Sequence, residues 1–124
     1  MEKKKTIIIV DDDKFILNVF SRILQKQGYN VDVVETGQET LEKINEKKYD
    51  LALIDVNLPD INGIDLVSKL NSINPDLIKI VITGFPSIED ATSAMDQGVI
   101  AYLVKPVKSE ELIELIAKKL KKQE

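Results

Sequence analysis

Asp11 and Asp12, Asp55, Thr83 and Lys105 each follow directly on a short apolar run of the 124-residue chain. Carboxylates gathered within several ångström repel one another, and either a proton or a cation must neutralise them. A hard divalent ion does this best. Mg²⁺ takes oxygen ligands and keeps waters, so one or two carboxylates, a carbonyl and a substrate phosphate complete its shell. A phosphate drawn in that way leaves oxygens for the Lys105 ammonium and the Thr83 hydroxyl. One carboxylate then remains as nucleophile, a known role of aspartate in aspartyl-phosphate chemistry. Taken singly, each residue has a plainer reading: an aspartate at a strand end caps the next helix, Lys105 is a surface lysine, and Thr83-Gly84 is a turn. The joint placement carries the chemical reading.

Such groups need a scaffold that brings distant stretches together. Strand-sized apolar runs occupy residues 6–10, 31–34, 51–54, 77–82 and 99–104. Between and after them lie segments with helical spacing, marked by Ile16, Phe20, Ile23 and Leu24, by Leu41 and Ile44, by Leu66, Val67, Leu70 and Ile73, by Ile88, Ala91, Ala94 and Met95, and by Leu112, Leu115, Ile116 and Leu120. Thr36 with Glu39, and Ser87 with Asp90, have capping-box spacing. Gly28 and Gly98 stand where a left-handed residue ends a helix, and Asn74-Pro75 stops the third. Strand and helix alternating five times imply an α/β fold with a parallel sheet covered on both faces. Asp32 inside the second run marks an edge strand. The leading strand order is 2-1-3-4-5, taken over by analogy from flavodoxin-like sheets, with a crevice at the carboxyl ends of the first and third strands. All four polar strand ends then fall on one edge.

Composition removes other classes. Seventeen basic against twenty-one acidic residues give a net charge of -4, which argues against a nucleic-acid surface. The basic runs, Lys3 to Lys5 and Lys118, Lys119, Lys121 and Lys122, read as solvated ends. With no histidine, the chain lacks the usual general base and phosphate-carrying imidazole. With no cysteine, it has no disulfides or thiol chemistry, so a cytoplasmic location is expected. No apolar stretch approaches a membrane span, and the start is too short in apolar residues for a signal peptide. No linker or low-complexity tract appears, so residues 1–124 read as a single domain.

Val10-Asp11-Asp12-Asp13, the stretch from Asp55 through Val56, Asn57, Leu58, Pro59 and Asp60 to Gly63, Ile82-Thr83-Gly84, and Tyr102-Leu103-Val104-Lys105-Pro106 closely resemble the receiver domain of two-component response regulators, of the chemotaxis-regulator-like kind. The resemblance covers residues 6 to about 120. It implies a flavodoxin-like (βα)5 three-layer sandwich in which Asp55 is the phosphoacceptor. Asp12, Asp55 and the backbone carbonyl of Asn57 would ligate Mg²⁺, Asp11 would assist through water, and Thr83 and Lys105 would contact the phosphoryl group. The donor would be a histidine kinase or histidine phosphotransfer protein, which supplies the imidazole this chain lacks. A cis Lys105-Pro106 bond is frequent in the family.

The resemblance also implies a switch. Thr83 would move toward the new dianion and Tyr102 turn inward, remodelling the face of the fourth helix, fifth strand and fifth helix. Phe85, Ile88 and Tyr102 would there form an apolar patch for a downstream effector, an output domain or a second copy, in a monomer or a phosphorylation-dependent dimer. Asn57 and Phe85, each two residues beyond a site residue, would flank the path of an attacking water, and Phe85 cannot hydrogen-bond it. Slow self-dephosphorylation follows, unless Phe85 merely packs on the fourth helix. Gly84 replaces a frequent alanine and leaves phosphate access open, and Asn62 stands where the family varies. The short tail after the fifth helix leaves a stand-alone regulator and a piece of a longer one both open. Two rivals remain: a haloacid-dehalogenase-type phosphatase using Asp11 in its Asp-x-Asp spacing, which lacks a cap insertion here, and a pseudo-receiver that binds without taking phosphate.

Overall fold

The computed structural model describes residues 4–121; Lys3, Lys122 and the ends of the proposed 1–124 domain lie outside the described residues. Five strands, β1 (Thr6–Val10), β2 (Asn30–Val34), β3 (Leu51–Asp55), β4 (Ile78–Thr83) and β5 (Ala101–Val104), alternate with five helices. These are α1 (Lys14–Lys26), α2 (Gly37–Glu46), α3 (Gly63–Ile73), α4 (Ile88–Asp96) and α5 (Ser109–Lys121). All strand pairs are parallel, and the order is β2-β1-β3-β4-β5, as expected.

Period-two alternation sorts the strand side chains onto two faces. Ile8, Val10, Ala52, Ile54 and Val81 meet Ile44 of α2, Leu66, Val67 and Leu70 of α3 and Ala94 of α4. Ile7, Ile9, Leu51, Leu53, Ile80 and Ile82 meet Leu17, Phe20 and Leu24 of α1 and Leu112, Ile116 and Leu120 of α5. Each fully buried Leu or Ile contributes roughly 1.5–3 kcal/mol, so these layers hold the sheet rigid.

Helix ends follow the residues read for them. Gly28 (φ 97°) and Gly98 (φ 84°) adopt left-handed conformations. The amides just after them close back on Leu24 O and Ala94 O, in the Schellman pattern. The Thr36 hydroxyl accepts from Glu39 N, and Glu39 returns the contact to Glu35 N rather than to Thr36 N. The Ser87 hydroxyl accepts from Asp90 N.

Two strands, β4 and β5, begin later than the sequence reading has them. Residues 99 and 100 precede β5, because Val99 N is taken by Ala94 O in the α4 terminus. Residue 77 precedes β4, its amide bonded to Asn74 O. The run through 77–82 is not wholly apolar either: Lys79 is buried, its ammonium donates to Leu77 O at 2.7 Å, and burial lowers its pKa. Asp32 lies on edge strand β2 as expected, held by the Tyr49 hydroxyl at 2.6 Å and Lys47 at 2.9 Å.

Candidate functional site

Register brings the polar strand ends together. Val10 pairs with Ile54 and Asp55 with Ile82, so Asp11, Asp55 and Thr83 leave neighbouring strands at the same edge. Lys105 joins them because its amide continues the ladder to Thr83 O at 2.8 Å. The Lys105-Pro106 bond is cis, as the resemblance implied.

Asp11, Asp12 and Asp55 each place a carboxylate oxygen so that all three lie within 4.8 Å of one another. Asp11 and Asp55 are buried, while Asp12 is exposed. The Lys105 ammonium reaches Asp11 Oδ2 at 3.0 Å and Asp55 Oδ2 at 3.4 Å. One ammonium among three carboxylates leaves an excess of negative charge on an all-oxygen donor set, which fits a hard divalent cation. Burial and the charge of Asp11 raise the pKa of Asp55, with Lys105 and the Asn57 amide opposing them. Burial pulls the Lys105 ammonium down, but Asp11 and Asp55 outweigh it and its pKa is raised.

Asn57 stands between two members of the site. Its amide donates to Asp55 Oδ1 at 3.3 Å, and its side-chain amide to the Thr83 hydroxyl at 3.4 Å. The Thr83 hydroxyl, fully buried, also accepts from Phe85 N at 3.0 Å. Half-buried Tyr102 sits at the next corner, where its hydroxyl accepts from Ser87 N at 3.3 Å. The side chains of Phe85 and Ile88 are 78% and 86% exposed, so Phe85 is not packed on α4.

Three further residues hold the elements around the site, and the sequence reading gave none of them that role. Asp13 is the N-cap of α1, its carboxylate accepting from Phe15 N and Ile16 N. Only its Oδ1 is so engaged, and Asp13 is not among the three carboxylates that converge. Asn62 caps α3 by accepting from Ile64 N at 2.7 Å. Asp60 accepts from Gly37 N and Gln38 N, both at 2.9 Å, although it lies in a different loop. Asp13 and Asn62 were legible from cap chemistry; Asp60 carries no local signal.

The response regulator receiver domain model matches residues 7–117. The transcriptional regulatory protein ZraR of Salmonella typhimurium is 33% identical over 117 residues, which take in 94% of this chain and 26% of that one. The chain thus spans about a quarter of the length of the first curated relatives it matches. A CheY-like receiver domain from Methanospirillum hungatei superposes with a TM-score of 0.95 at 40% identity, covering 98% of this chain and 97% of that one. A Burkholderia pseudomallei response regulator, solved with a phosphorylated aspartic acid, a calcium ion and citrate, gives 0.83 at 27% identity, over 94% and 73% of the two chains.

Proposed function

The chain belongs to the response regulator receiver domain family, and we propose on that premise that Asp55 accepts a phosphoryl group from the phosphohistidine of a sensor kinase or phosphotransfer protein. An Asp55 carboxylate oxygen attacks phosphorus in line, the phosphorus–nitrogen bond to the donor imidazole breaks, and an acyl phosphate forms. Water later attacks that phosphorus and returns the carboxylate and inorganic phosphate.

Asp11, Asp12, Asp55 and the Asn57 carbonyl would hold Mg²⁺, which supplies charge neutralisation for the phosphoryl oxygens. Lys105, already drawn to both buried carboxylates, provides the matching ammonium on the other side. Asp11 positions that ammonium. Thr83 donates its hydroxyl once a phosphoryl oxygen is present, and its departure from Asn57 and Phe85 N leaves room for Tyr102 to turn inward. The remodelled face of α4, β5 and α5, with Phe85 and Ile88 exposed, meets a downstream effector, an output domain or a second copy. The chain acts as one cytoplasmic signalling unit that catalyses only its own phosphorylation and dephosphorylation and touches no nucleic acid directly. Among the described residues no helix is long and apolar enough to cross a membrane.

The observation that carries this reading is the convergence of three carboxylates within 4.8 Å, with Lys105 on the two buried ones. The phosphorylated aspartic acid and cation of the Burkholderia structure support it. The test is intact-mass analysis after incubation with acetyl phosphate. Wild type gains one phosphate with Mg²⁺ and none without it, and Asp55→Asn gains none. A phosphorylated Asp55→Asn variant contradicts the assignment, and a wild type that takes no phosphate favours the pseudo-receiver.

A further inference from the structure

Residues 56–62 form a closed loop between β3 and α3, and the two ends of that loop are held by ordinary means. Gly63 N donates to Val56 O at 2.7 Å, and Asn57 and Asn62 pair in an isolated antiparallel bridge. The tip is held differently. Both oxygens of Asp60 bond to the first two amides of α2, Gly37 N and Gln38 N. The third amide, Glu39 N, goes to the Thr36 hydroxyl, so α2 divides its orphan donors between its own cap and a foreign loop. Beside this contact Ile61 fills the space that a side chain at Gly37 would occupy. The two amides also lower the pKa of Asp60, in keeping with a carboxylate that accepts from both. At the other end of the same loop, Asn57 touches the Asp55 carboxylate and the Thr83 hydroxyl.

We propose that Asp60 is a positioning residue: it ties the loop to the first turn of α2, holds Asn57 against Asp55 and Thr83, and so sets how tightly the acidic site takes Mg²⁺. A plain helix cap stabilises α2 and does nothing at a distance. A brace acts through the loop on the orientation of a metal-binding carboxylate, and groups that orient ligands in this way change metal affinity by about 10–100-fold when removed. Asp60 acts only through Asn57 and touches no reacting atom, so the lower end of that range is expected. The inference rests on the receiver reading, because it presumes that Mg²⁺ binds at Asp11, Asp12 and Asp55.

The experiment compares wild type with Asp60→Ala, Asp60→Asn and Thr36→Ala, with Mg²⁺ titrated into the full chain and binding read from amide NMR shifts, alongside thermal unfolding. Asp60→Ala raises the Mg²⁺ dissociation constant about tenfold. Asp60→Asn, which keeps one accepting oxygen, falls between. Thr36→Ala, which weakens the same helix terminus from the other side, lowers the unfolding temperature but binds Mg²⁺ as wild type does. With acetyl phosphate, Asp60→Ala needs more Mg²⁺ for half-maximal phosphorylation yet reaches the wild-type rate at saturation. Unchanged affinity in Asp60→Ala, or equal weakening in Thr36→Ala, overturns the brace. A wild type that binds no Mg²⁺ overturns the proposed metal site and the brace with it.

Discussion

β3 and β5 flank the same strand, β4, yet β3 buries all five of its residues and β5 none of its four. Their neighbouring helices repeat the contrast. α3 buries Gly63, Ile64, Leu66, Val67 and Leu70, whereas α4 buries only Ala94. Phe85, Ile88, Met95 and Val104, all on or beside α4 and β5, are exposed. The β3 side holds the proposed nucleophile, where small displacements of a reacting group are costly. The α4–β5 side has few buried apolar contacts, which is what low local stability requires. A switch needs such a region, since moving a population from 1:99 to 99:1 takes only ~5.5 kcal/mol. The well-buried region around the proposed nucleophile and the looser region proposed to switch thus lie on opposite sides of Thr83.

Truncation tests that contrast most strongly. Leu53→Ala or Leu66→Ala, each removing a side chain 2% exposed or less, should cost about 2–5 kcal/mol in denaturant unfolding. Ile88→Ala and Val104→Ala should stay within about 0.5 kcal/mol of wild type. Equal losses on both sides would erase the distinction. Glycines sharpen it further. A Cβ at Gly63 would collide with Asp55 O and lie 2.7 Å from Val56 Cα, so Gly63→Ala should cost about 1–3 kcal/mol. At Gly84 the nearest atom is 3.8 Å away, Lys105 Cδ, so Gly84→Ala should be neutral or stabilising by about 0.4–1 kcal/mol.

The rigid side also carries an electrostatic cost. Asp55 has a pKa raised above its ordinary value of 3.8, by burial first and by Asp11 second. A carboxyl with a raised folded pKa leaves stability untouched below the ordinary value and lowers it increasingly as pH climbs through the folded one. Asp55→Asn should therefore melt higher than wild type at neutral pH. The gap should narrow as pH falls toward the ordinary carboxylate range, as calorimetry across pH would record. A gap independent of pH would mean that the charge of Asp55 is not what strains the site. The smallest effect is expected on the loose side. Phe85 is 78% exposed, so Phe85→Glu or Phe85→Asn should fold as wild type and lose the phosphoryl group faster. Unchanged decay, followed by mass spectrometry, would remove Phe85 from the water path.

Much of this was legible in the sequence because parallel strands align their carboxyl ends whatever their separation in the chain. Asp11, Asp55, Thr83 and Lys105 could be placed at one edge from the apolar runs alone, and Gly28 and Gly98 end their helices by the left-handed turns read for them. What stayed hidden was tertiary or masked by stronger signals. Asp13 was read with the acid run although its carboxylate serves α1. Lys79 sat unremarked in an apolar run because its stem packs like its neighbours while its ammonium finds Leu77 O. The Asp60 contacts span 23 and 22 residues and depend on how two loops meet, which no local spacing encodes.

The most direct test is to locate the modification itself. Wild type treated with acetyl phosphate and Mg²⁺ is digested, and the phosphorylated peptide is sequenced by mass spectrometry. The expected result is a single modified residue, Asp55. Phosphate on Asp11 instead would contradict Asp55 as the acceptor and favour the phosphatase reading.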